Sequence, residues 1–194
     1  MFRTTLVSIL LATLCTTGTP LRVSAQKITP RGLSSCTGIA LIMKEEGTSQ
    51  RSKTAWTKIY NTAKAYHLLY YMSDPDYTKA QASTNSEMMI RNSTRMWSIF
   101  YEDEGNVGVF GLDEMAYECV AWFAQTPQEQ HEAFLSEANS LELNNSTDKT
   151  RLRERLEQAY TTPSQAVIEQ VKKDVPSLPE QLEAAYSKWF QKQQ

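Results

Sequence analysis

Two cysteines constrain this chain more than any other feature. Of the three it contains, Cys15 lies in an N-terminal segment with the layout of a secretory leader, which leaves Cys36 and Cys119 in the exported product. In an oxidising compartment two remaining cysteines most simply form one disulfide. Closing a loop of about 84 residues in this way contributes ~4–5 kcal/mol in the chain-entropy model. One free or intermolecular thiol is the rival reading.

The leader assignment rests on MFRTTLVSILLATLCTTGTPLRVSA, with Arg3 at its head, an apolar run from Leu6 to Cys15 and a small-x-small end at Val23-Ser24-Ala25. About ten apolar residues are too few to span a bilayer, so residues 1–25 are expected to be a signal peptide and the mature chain to begin at Gln26. No later stretch approaches the ~20 apolar residues of a membrane helix. The C-terminal SKWFQKQQ has neither a retention signal nor a lipid-anchor tail. A secreted, extracellular protein without a membrane span is therefore expected, with residues 26–194 as one domain.

Without Arg3 and Arg22 the chain has 18 basic and 22 acidic residues. That balance shows no basic stripe, so nucleic acid is not an expected partner. Three N-glycosylation sequons begin at Asn92, Asn144 and Asn145, the last two overlapping. A glycan must sit in water, which places any modified asparagine on the surface.

Along the chain, Ile39-Ala40-Leu41-Ile42-Met43 fits either a short strand or a helical turn. Trp56, Ile59, Tyr60 and Ala63 have helical spacing. The aromatic run Tyr66 to Met72 then reads as a strand, with one helix from Ser52 to Met72 as the alternative. Trp97, Ile99 and Tyr101 alternate, Glu102 to Asn106 makes a turn, Val107 to Leu112 returns, and Ala116 to Ala124 adds another strand. Beyond Thr126 the pattern becomes helical. Helix starts occur at Thr126-Pro127, Asp148 and Thr162-Pro163, followed by the stripes Phe134/Ala138/Leu141, Leu152/Leu156/Tyr160, Val167/Val171/Val175 and Leu182/Ala185/Tyr186/Trp189/Phe190. The expected fold is α+β: an antiparallel β meander over 66–124, braced by an N-terminal helix and by three or four helices over 126–194.

Chemistry is sparse. His67 and His131 are the only histidines, and no H-E-x-x-H, G-x-S-x-G or Gly-rich phosphate loop occurs. His131, in Gln130-His131-Glu132, falls on the polar face of its expected helix as a solvated residue, and His67 reads as packed and hydrogen-bonded. The carboxylates of Asp74 and Asp76 on either side of Pro75 and the Glu102-Asp103-Glu104 cluster lack the six or more oxygens of a calcium loop. No catalytic residue, metal site or cofactor is expected, and the chain is read as a binder and not an enzyme. Tyr70, Trp97, Tyr101, Phe110 and Trp122 offer rigid surfaces that suit pocket walls, an interface or an ordinary core.

One resemblance bears on that choice. Ala55-Trp56 leading through Tyr66-His67-Leu68-Leu69-Tyr70-Tyr71-Met72-Ser73-Asp74-Pro75, and Tyr117-Glu118-Cys119-Val120-Ala121-Trp122 followed by Pro127 and a helix bearing Phe134, resemble the salivary lipocalins of ticks, of the histamine-binding type. The resemblance implies a barrel that sequesters a small host mediator, such as a biogenic amine or a lipid. It departs from that family in length, since Tyr66 to Ala124 has room for about five strands where eight are needed. It also departs in its two cysteines and its long helical C-terminal half. The functional expectation is a secreted glycoprotein that binds a small mediator, with a protein-binding immunomodulatory effector, acting on a host extracellular protein through an exposed aromatic surface, as the alternative.

Overall fold

Ten of the residues from Leu33 to Met43 are buried, so the first helix has almost no polar face to give to water. A helix buried on nearly every side, its serines and threonine included, belongs at the centre of a fold. In the computed structural model, which describes residues 30–105, 107–108, 111–143 and 145–192, this helix, α1 (Pro30–Glu46), packs against four others. They are α2 (Gln50–Met72), α3 (Lys79–Glu104), α4 (Leu112–Gln125) and, after α5 (Gln128–Ser140), α6 (Ser146–Ala159) and α7 (Gln165–Asp174), the last helix α8 (Leu178–Gln191). Helices α5 and α6 lie on α2, and α7 lies on α4.

The expected β meander is absent: among the described residues there is no strand. Residues 66–72 continue α2, 95–101 belong to α3, and 116–124 to α4. The barrel implied by the lipocalin resemblance goes with it, and so does the lipocalin-like reading. Trp97 and Tyr101 explain the error, because residues four apart share a side in both a strand and a helix. Ile99 between them separates the two, being 40 % exposed while its neighbours are 6 % and 8 % exposed. The strand reading put all three on one face. The turn expected at 102–106 is not observed as such: Glu102, Asp103 and Glu104 are the last residues of α3, Asn106 lies outside the described residues, and Gly105, at φ 64°, ends the helix in the left-handed conformation, its amide bonding to the Tyr101 carbonyl at 2.7 Å.

The helical reading beyond Thr126 agrees with the structure, with shifted starts. Pro127 precedes α5 without a side-chain cap, Asn145 rather than Asp148 caps α6, and Ser164 caps α7. Leu152, Leu156, Val171, Leu182, Ala185 and Tyr186 all point inward.

Three devices fix α1 and α2 among their neighbours. Cys36 and Cys119 form a disulfide that ties α1 to α4, with Cα atoms 5.3 Å apart. Gly38 lets α3 approach: a Cβ there would lie 3.1 Å from the Thr94 amide nitrogen and 3.2 Å from its hydroxyl. Beside it Ser93 donates to Ser34 across the same contact at 3.0 Å. Two cations of α6 close the C-terminal end of α2, where helix carbonyls lack partners. Arg153 donates to Ser73 Oγ at 2.7 Å and to the Tyr70 carbonyl at 3.0 Å, and Lys149 donates to the carbonyls of Asp74 and Tyr77 at 3.0 and 2.5 Å. No helix of the described residues is long and apolar enough to cross a membrane.

Candidate functional site

Of the five residues expected to line a pocket, four are described, and these are not brought together around one cavity. Trp122 lies in the interior, edge-on to Tyr66 at 5.4 Å and tilted against Tyr160 at 5.2 Å. Trp97 packs on Phe100 at 5.6 Å, and Tyr101 on Tyr186 at 5.7 Å. Tyr70 is half-buried under Arg153, whose guanidinium carbon stands 3.7 Å from the ring centre. Phe110 lies outside the described residues, as do Asn144 and the leader.

Tyr101 does position something. Its hydroxyl donates to Glu183 Oε1 at 2.7 Å, and the other oxygen of that carboxylate accepts from the Val107 amide at 3.3 Å. One glutamate of α8 thus fixes the end of α3 and the segment after it. Burial raises the Tyr101 pKa, and the Glu183 carboxylate raises it further.

The densest aromatic cluster gathers around His131, which sequence reasoning placed in solvent. It is fully buried. Tyr66 and Trp122 meet it edge-on at 5.6 and 5.4 Å, Phe123 stacks on it at 5.4 Å, and the Tyr66 hydroxyl shares a 3.2 Å hydrogen bond with Nδ1. A signal was present: His131 stands three, four and seven residues before Phe134, Leu135 and Ala138, on the same stripe. Burial lowers its pKa, and the Phe123 carbonyl offsets part of that without hydrogen-bonding to Nε2.

His67 is likewise fully buried, on α2 and not on a strand, and its expected packing is observed. Its Nδ1 shares a 2.8 Å hydrogen bond with Ser86 Oγ of α3, and burial lowers its pKa to about 4. Both rings are neutral at ordinary pH. A serine beside an imidazole has the makings of a nucleophile and base, but Ser86 is 2 % exposed and His67 Nε2 has no hydrogen-bond partner to orient the ring.

The hollows lie elsewhere. Two open surface grooves, of about 290 and 340 Å³, flank the start of α6; Ser146 lines both, and Tyr77, Asn145 and Lys149 line the larger. None of Tyr70, Trp97, Tyr101 or Trp122 lines either groove. Among the described residues no three His, Cys, Asp or Glu side chains gather as metal ligands would. Two sequon asparagines are exposed, Asn92 on α3 and Asn145 at the head of α6. Compared with protein-family models, with curated proteins and with solved structures, the chain matches none.

Proposed function

We propose that this chain is an exported, non-enzymatic protein that engages an extracellular partner through its outer surface, and not by enclosing a small mediator. The observation that carries this reading is the packing of Trp97, Tyr101 and Trp122, each less than a tenth exposed and held against other rings. Rings used to fill a core are not free to wall a ligand chamber. The open grooves support the same choice, because small-molecule sites enclose most of their ligand.

The Cys36–Cys119 disulfide supports export into an oxidising space. The neutral hydroxyl partners of His67 and His131, together with their burial, support a role without acid–base chemistry. No aromatic side chain of the described residues is fully exposed, and the large apolar side chains that are exposed are Met88 and Ile99 of α3, which favours a polar surface over an aromatic one.

Native mass spectrometry of the protein recovered from secretion medium tests the reading. A mass equal to the processed chain plus any glycan is expected. A small molecule retained at one per chain would overturn it.

A further inference from the structure

Helix α2 carries Arg51, Lys53, Lys58 and Lys64, and no acidic residue occurs between Glu46 and Asp74. Lys44 of α1 joins them: its ammonium stands 3.9 Å from the centre of the Tyr60 ring, and that of Lys64 is 5.9 Å from the same centre. Lys53 bonds only to a backbone oxygen, the Glu45 carbonyl, at 2.6 Å. Among the described residues none of these five cations is in an ion pair; the pairs that exist are Arg155–Glu137, Lys172 with Glu114 and Glu169, and Lys192–Glu46. The negative charge of the chain is concentrated later, with eight Lys and Arg against seventeen Asp and Glu over residues 102–194.

At 100° per residue the cations fall in two rows. Lys53 and Lys64 flank Tyr60 on the edge next to α1, while Arg51 and Lys58 occupy the opposite edge of the solvent-facing side. Between the rows stand Thr54, Thr57 and Asn61, all exposed. Lys53 and Lys64 are eleven residues apart, which is roughly 16 Å along the axis. Two lines of positive charge thus border a strip of hydroxyls and an amide.

We propose that this face of α1 and α2 binds a linear sulfated polysaccharide, its sulfates against the two rows and its sugar hydroxyls against Thr54, Thr57 and Asn61. The inference rests on the surface-binding reading above and names the partner. Three features select a sulfated sugar chain from among polyanions. The fully exposed large apolar residues, Met88 and Ile99, are on α3, and between residues 51 and 64 the solvent side of α2 has no large aliphatic side chain to insert into a bilayer. Tyr60, its aromatic ring, is taken up by two ammonium groups and is not free to stack on a base. The strip between the rows is polar and uncharged, as sugar hydroxyls require.

Heparin is the probe, and the full chain is the protein. Arg51 and Lys58 are exposed and make no side-chain hydrogen bond or ion pair among the described residues, so the double variant Arg51→Glu/Lys58→Glu tests charge with little disturbance of packing. Arg91→Glu/Arg95→Glu, on exposed positions of α3, makes the same change of net charge elsewhere. We expect heparin binding at physiological salt, weakened roughly tenfold or more by the α2 pair, as loss of two polyanion contacts implies, and changed less than twofold by the α3 pair. Absence of binding, equal weakening by both pairs, or tighter binding to phosphatidylserine vesicles or single-stranded DNA than to heparin would each overturn the proposal. Failure here together with a ligand-free native mass would leave surface binding intact. A retained small molecule would overturn that wider reading whatever heparin does.

Discussion

The hydroxyl of Tyr66 and Nδ1 of His131 lie 3.2 Å apart, joining α2 to α5 where both residues are buried. The bond suits a neutral imidazole surrounded by rings. A second such pair, His67 and Ser86, joins α2 to α3. Helix α2 therefore depends, on two sides, on histidines that must remain uncharged.

That dependence sets the response to acid. The pKa of His67 is about 4 in the fold against 6.5 unperturbed, and that of His131 is also lowered, so the unfolded chain binds these protons first as pH falls. For His67 the stability from this source is complete above about pH 6.5, declines as the pH falls toward 4, and changes no further below that, and His131 acts in the same direction. For His67 the loss reaches about 3 kcal/mol. Urea unfolding at pH 7, 5.5 and 4 measures it, and His67→Gln, which keeps a hydrogen-bonding side chain but does not titrate, should flatten the profile. Parallel profiles for the variant and the parent would refute the burial of a neutral ring.

The disulfide should dominate the stability of the α1–α4 contact. Cys36→Ser/Cys119→Ser is expected to cost about 4–5 kcal/mol through the freed unfolded chain, which lowers Tm by roughly 10 °C or more. Because both cysteines are buried, at 7 % and 4 % exposure, mild reductant without denaturant should leave the bond intact. Thermal melts and a thiol titration check the two halves of this expectation.

What the sequence disclosed divides sharply at Thr126. Beyond it, polar helices alternate with Pro, Ser and Asn starts, and stripes such as Leu152 and Leu156 have one possible period. Before it, apolar and aromatic residues cover most sides of α1 and α4, so the period that separates helix from strand is lost. Cys119 and Trp122 show this: three residues apart and both buried, they share a helical side, but a strand would divide them. The preference of Trp, Tyr and Ile for strands then misleads, since packing overrides propensity. The cysteine pairing was legible because only two candidates remained. The cationic side of α2 was not, because a balance over the whole chain averages it away.

The approach of α1 to α3 gives a test of packing. Valine at position 38 would put its Cβ 3.1 Å from a backbone nitrogen of α3, which cannot rotate aside. We expect Gly38→Val to cost about 1–3 kcal/mol, as overpacked cores do, despite the better helix propensity of valine over glycine. A denaturation midpoint equal to that of the parent chain would show that the two helices are not so close.

Asn145 separates a structural role from a chemical one. Its Oδ1 accepts the Asp148 amide at 2.9 Å, capping α6, and its Nδ2 donates to the Asp148 carboxylate at 2.7 Å. The same residue heads the sequon Asn145-Ser146-Thr147, so the usual Asn→Gln replacement would remove the cap together with any glycan. Thr147→Ala breaks the sequon and leaves the cap. In protein made without glycosylation machinery, Asn145→Ala should lose about 1 kcal/mol of stability, whereas Thr147→Ala, at an exposed position in the first turn, should stay within about 0.5 kcal/mol of the parent. Because Lys149 and Arg153 anchor α6 on the end of α2, the loss at Asn145 should appear as weakened hydrogen-exchange protection at Ser73 and Tyr77 as well as within α6. Protection lost in α6 alone would mean that the two helix ends open independently.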